Sequence, residues 1–169
     1  MFKIGDYVVV NSNNGICRIK DIACLDISMA TKDRLYYLMV PQEDIGAKLY
    51  IPVNGTKHKI RKVINEAEAW KIIDEIPEIE EMLIDNSRMC EKKYKEAIQS
   101  CEPKILISVI KSMYYRRRKR DAQGKKDTII DERYFKIAEN KLYEELGFAM
   151  GRNKDEMQKL IIDIIKKNK

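Results

Sequence analysis

The hydrophobic pattern of this chain changes period at Asn65, and that change limits what the first part and the remainder can each fold into. Before it lie short β-branched and aromatic runs: residues 7–10 (YVVV), 16–22 (ICRIKDI), 33–41 (DRLYYLMVP), 47–53 (AKLYIPV) and 59–64. Runs of this composition and length, bounded by turn residues, predict strands. Gly15 closes a polar Ser12-Asn13-Asn14-Gly15 turn, Asn54-Gly55 forms another, and Gly5-Asp6 leads into the first strand. Alternation through Ile16, Arg18, Ile19, Lys20 and Ile22 follows a period of two only approximately. No crossover helix separates these runs, so they predict antiparallel pairing, and Pro52 marks a strand edge or end.

From Asn65 onward the pattern is helical. Residues 66–76 space Trp70, Ile73 and Ile76 at helical intervals, with Asn65 as cap and Pro77 as terminator. Further helices are predicted over 81–100, over 103–121 with Ile105, Val109, Ile110 and Met113 on one face, and over 132–148 with Phe135, Ala138, Leu142 and Leu146 in a stripe. Gly147 or Gly151 can end the last of these, and residues 155–167 place acids first and lysines last, as a helix dipole favours. The expected class is α+β: a small SH3/Tudor-like antiparallel β-barrel over residues 1–64, then an all-α helical domain of four to five helices over 65–169.

Charge is unevenly spread. Residues 63–102 hold five basic and eleven acidic side chains, residues 103–126 nine basic and one acidic, and residues 127–169 nine of each, within a net charge of +6. One short stretch carries the basic signal, which favours an anionic partner such as nucleic acid. Cys17, Cys24, Cys90 and Cys101 form no C-x-x-C pair, and the single histidine, His58, has no ligand at metal spacing, so neither a zinc site nor any cofactor is expected. No apolar run approaches the roughly 18 residues of a membrane span, and no signal pattern opens the sequence. A cytoplasmic protein with reduced thiols and no membrane partner is expected.

The sharpest chemical signal is residues 111–120 (KSMYYRRRKR), where Arg116, Arg117, Arg118, Lys119 and Arg120 follow Tyr114 and Tyr115. Guanidinium groups bind phosphate oxygens bidentately and adjacent tyrosines can pack on sugars or bases, so the stretch reads as a nucleic-acid backbone contact. Lys92, Lys93 and Lys95 beside Tyr94 form a smaller group, but Glu91 and Glu96 flank it and it reads as a solvated helix face. One histidine without a Ser or Cys motif makes no triad, and the glycines form no phosphate-cradling loop. Glu80 with Glu81, or Asp131 with Glu132, could hold a metal for nuclease chemistry, but charge pairs on solvated helices are the commoner use. The sequence does not read as an enzyme, and no small-molecule substrate is expected.

With these residues in hand the chain resembles the CarD family of bacterial RNA polymerase-binding transcription regulators, whose N-terminal module is shared with the transcription-repair coupling factor. The resemblance rests on FKIGDYVVV at 2–10, Asn14-Gly15-Ile16, Tyr36-Tyr37-Leu38, Tyr50-Ile51-Pro52-Val53 and Ile60-Arg61. It continues through KKYKE at 92–96, the YYRRRKRD stretch ending at Asp121, and DERYFKIAENKLYEEL at 131–146.

The resemblance implies a Tudor-like domain that docks on the RNA polymerase β subunit and a helical domain that touches promoter DNA at the upstream edge of the melted region, modulating open-complex stability. It implies polymerase contacts around Lys48, Tyr50, Ile51 and Pro52. It also implies DNA contacts at Lys92 and Lys95, with Tyr94 and the basic stretch beside them. Cys90 stands where the family commonly has a wedge tryptophan, and Glu132 where relatives have a lysine, leaving Arg133 as the adjacent cation. The location that follows is cytoplasmic, nucleoid-associated through the polymerase. The rival reading is an SH3/KOW-like RNA- or ribosome-associated binding protein.

Overall fold

Gly5 adopts a φ of +93°, a region that side chains disfavour, and its N–H donates to the Ile19 carbonyl at 2.8 Å. The Asp6 carboxylate accepts from the Lys3 N–H at 2.9 Å, and this turn delivers the chain into the first strand. The computed structural model describes residues 1–11, 15–24, 34–55, 59–83 and 87–167. Two units divide the chain, Met1–Val63 and Ile64–Lys169.

The first unit holds β1 (Tyr7–Val10), β2 (Ile16–Cys24), β3 (Leu35–Pro41), β4 (Leu49–Pro52) and β5 (Ile60–Lys62), all antiparallel, in the order β4-β3-β2-β1-β5. Val8, Val10, Cys17, Ile19, Tyr37, Met39 and Ile51 form its core. Phe2 meets the edge of Tyr37, with ring centroids 5.9 Å apart, and its N–H donates to the Tyr37 hydroxyl at 3.2 Å. The α+β class holds, but the sheet is not closed into the expected barrel: among the described residues β4 and β5 are its two edges. Their length accounts for this, since strands of four and three residues give little ladder with which to curl and meet. The Gly55 N–H donates to the Pro52 carbonyl at 3.1 Å, forming the Asn54-Gly55 turn, while Ser12, Asn13, Asn14, Asp33 and His58 lie outside the described residues.

The imperfect alternation in β2 has a structural cause. Ile19 pairs with Met39 and Asp21 with Leu38, so one extra residue, Lys20, is bulged between them. Cys17 and Ile19 face the core before the bulge and Ile22 packs against it afterwards, which a regular strand cannot arrange.

The second unit contains α1 (Glu66–Glu75), a 3₁₀ turn (Ile76–Glu78), α2 (Ser87–Ser100), α3 (Pro103–Ala122), α4 (Ile129–Met150) and α5 (Lys154–Lys167). A full capping box starts α1: Asn65 Oδ1 accepts from the Glu68 N–H, and Glu68 accepts from the Asn65 N–H. Asn153 and Glu156 repeat the device before α5. The buried face of α1 is Ala69, Ile72 and Ile73, continued by Ile76 of the 3₁₀ turn; Trp70 lies off it, partly exposed, with the Arg152 guanidinium 5.3 Å from its ring. On α3 the buried aliphatic side chains are Leu106, Ile107, Val109, Ile110 and Met113, with Ile105 at the rim. The expected α4 stripe of Phe135, Ala138, Leu142 and Leu146 is buried throughout. Helix α2 begins later than expected, at Ser87.

Lys111 is buried on α3, and its ammonium donates to the carbonyls of Ile76 and Ile79, both at 2.6 Å, and of Pro77 at 3.3 Å. It adds a donor to the Ile76 carbonyl, which also accepts from the Ile79 N–H at 3.3 Å, and reaches the carbonyls of Pro77 and Ile79 at the end of the turn. Gly151, at φ +64°, caps α4, whereas Gly147 lies inside the helix and lets the chain turn back against it. A Cβ on Gly147 would stand 2.5 Å from the Arg152 carbonyl oxygen. Gly147→Ala is therefore expected to lower the unfolding free energy by about 1–3 kcal/mol in urea titrations, although alanine is the better helix former.

Glu139 is buried on α4, accepting from the Tyr143 hydroxyl at 2.9 Å and from Gln158 at 3.4 Å. Burial pushes its carboxyl above the usual range, with those two bonds opposing. The folded state thus binds this proton more tightly than the unfolded chain, so its contribution is full below the ordinary carboxylate pKa and is lost as pH rises through the raised value. Glu139→Gln keeps an acceptor without the charge. It is expected to raise Tm at pH 8, with the gain shrinking towards pH 5 in thermal scans.

Candidate functional site

Helix α3 carries Arg116 and Arg120 four residues apart, hence on one side, and α4 places Asp131 opposite them. Thr128 caps α4 by accepting from the Asp131 N–H at 3.1 Å, which orients that residue. Arg120 Nη1 donates to Asp131 Oδ2 at 2.7 Å, and Arg116 Nη2 lies 3.5 Å from the same oxygen. Arg116 Nη1 also donates to the Tyr94 hydroxyl at 2.8 Å and reaches Cys90 Sγ at 3.4 Å, both on α2. The Tyr94 hydroxyl in turn donates to Asp131 Oδ1 at 3.1 Å. Burial first, and then the Asp131 charge, push the Tyr94 phenol up, so it stays a neutral donor.

Of the five consecutive cations, three are thus held by carboxylates. Arg116 and Arg120 serve Asp131, and Arg117 pairs with Asp127 while its guanidinium lies 4.9 Å from the Phe135 ring. Arg118 and Lys119 are exposed and make no ion pair among the described residues. They line a cleft of about 760 Å³ with Glu81, Tyr115 and Arg116.

Lys92 and Lys95 are exposed on α2, Lys92 lying 3.9 Å from Glu96. Arg133 is exposed on α4, 5.7 Å from the Tyr134 ring, and the Tyr134 hydroxyl donates to Glu91 at 3.1 Å. That bond brings the stretch bearing Lys92 beside the stretch bearing Arg133. Tyr94 and Cys90 are interior residues, fully and almost fully buried, and they brace the cationic surface rather than form it. In the first unit, edge strand β4 sends Ile51 into the core and Tyr50 outward, with exposed Lys48 just before it and Pro52 at its end.

Sequence reading singled out the basic run but not Asp127 and Asp131 as its partners. A signal was present: Asp127 and Asp131 follow the basic run after a short turn around Gly124, where a chain that folds back brings them to it. Of the two acidic pairs, Asp131 and Glu132 face cations, Asp131 the arginines and Glu132 the Lys136 ammonium at 3.2 Å.

Fold and site together define a two-unit α+β protein with an open antiparallel sheet and a helical unit whose surface cations are set on a partly buried Arg–Asp–Tyr network. No curated protein matches the chain. Residues 2–64, the span of the β unit and the first residue after it, match the model of the CarD-like/TRCF RID domain.

The network is testable on its own. Asp131→Asn leaves Arg116 and Arg120 partly buried without a counter-charge, and is expected to cost about 2–4 kcal/mol of stability in chemical denaturation. Arg118→Ala, at an exposed position, is expected to change stability by less than about 0.5 kcal/mol.

Proposed function

We propose that this protein is a non-catalytic transcription regulator. Its β unit docks on the β subunit of RNA polymerase, and its helical unit contacts promoter DNA near the upstream edge of the transcription bubble, modulating open-complex stability. The observation that carries the reading is the CarD-like/TRCF RID match over residues 2–64. Supporting it, Lys48 and Tyr50 are exposed at an edge strand whose Ile51 anchors in the core, so a partner can be engaged without unpacking the sheet. On the helical unit, Lys92, Lys95, Arg133, Arg118 and Lys119 are exposed cations able to neutralise phosphates.

Affinity purification of the tagged full chain tests the docking half: RNA polymerase is expected to co-purify, and a Lys48→Glu/Tyr50→Ala variant to retain at least about tenfold less. Recovery of ribosomes or RNA without polymerase would replace the reading with an RNA-binding one. For the DNA half, binding to duplex is expected to weaken with salt, and Lys92→Ala/Lys95→Ala to flatten the log–log salt slope by about 2. An unchanged slope would remove those two lysines from the interface.

A further inference from the structure

The cleft beside α3 differs in kind from the open cationic surface. Tyr115, Arg118 and Lys119 fall on one side of the helix by their spacing of three and four, and Glu81 stands across from them. Tyr114 packs edge-on against Tyr115, with centroids 5.7 Å apart and planes at 68°, which fixes the orientation of the second ring. Burial, then the Glu81 carboxylate, push the Tyr115 phenol up, so it is uncharged at neutral pH. The volume of about 760 Å³ is within the range of small-ligand sites.

We propose that this cleft holds one nucleotide of a single nucleic-acid strand, its base stacked on Tyr115, its flanking phosphates on Arg118 and Lys119, and an amino group of the base donating to Glu81. A purely cationic cleft would fit any polyanion, but a carboxylate in the wall disfavours a bare phosphate or an acidic peptide. It is complementary to a ligand that carries both negative oxygens and a donor edge, such as the N4 amino group of cytosine. A duplex keeps its base faces stacked inside and cannot offer one to a tyrosine; an unpaired strand can. The inference rests on nucleic acid being the partner of the helical unit, and it adds that the partner includes an unpaired strand.

The test is fluorescence anisotropy with the full chain at low salt. The probes are labelled oligo(dC) and oligo(dT) of about 12 nucleotides, within the length range of single-strand sites, and a dC·dG duplex of equal length. Tyr115→Leu is expected to weaken oligo(dC) binding about five- to twentyfold and duplex binding less than twofold, and Tyr115→Phe to restore it to within about twofold, which separates loss of the ring from loss of the fold. Wild-type protein is expected to bind oligo(dC) several-fold more tightly than oligo(dT), with the difference abolished in Glu81→Ala. Equal losses on single strand and duplex, or no loss with Tyr115→Leu, would overturn the proposal, and equal binding of the two oligomers would overturn the role of Glu81. Duplex binding without single-strand binding would sink this inference alone; binding of neither would sink the DNA half of the proposed function with it.

Discussion

Asp131 is the point on which the helical unit turns. Its two carboxylate oxygens take the Tyr94 hydroxyl of α2 and the Arg116 and Arg120 guanidinium groups of α3 onto the first turn of α4. Each member satisfies another: Arg116 donates to Tyr94, which donates to Asp131, which neutralises Arg116. A closed set of this kind is stable where an incomplete one would be costly, because desolvated charges and donors then all have partners. The planar fork of arginine suits the task, since Arg116 reaches two helices at once, which a lysine ammonium would do less well.

The same network sorts the cations of α3 by role. Five consecutive basic residues look alike in a sequence, but helical rotation turns Arg116, Arg117 and Arg120 towards carboxylates and leaves Arg118 and Lys119 in solvent. Ion-paired and solvated charge are interleaved within little more than one turn. The edge of the β unit shows the corresponding division at period two, with Ile51 committed to the core and Tyr50 to the outside.

Much of the architecture was legible from local chemistry. Strand runs, the Asn65 cap, the Gly151 stop and the α4 stripe follow from propensity and periodicity, which act over a few residues. Closure of the sheet was not legible, because it depends on how far the terminal strands extend and curl. Helical spacing links Trp70 with Ile73 and Ile76 but does not say where the buried face is centred, and that face takes in Ala69 and Ile72 and leaves Trp70 at its margin. The burial of Tyr94 and Cys90 escaped for a related reason. Among charged neighbours they resembled surface residues, and their partners Arg116 and Asp131 are distant in the chain.

The bulge at Lys20 uncouples the length of β2 from the side of the sheet on which its residues emerge. In β3, where pairing with β4 is regular, losing one residue would exchange inner and outer positions for everything beyond it, carrying Tyr37 or Met39 into solvent. Loss of Lys20 would instead straighten β2, bringing Ile22 to an ordinary two-residue step from Ile19 with both still inward. Strand β2 thus contains one site where the chain can change length and keep its pattern of faces, at the expense of the bend and added twist that the extra residue supplies.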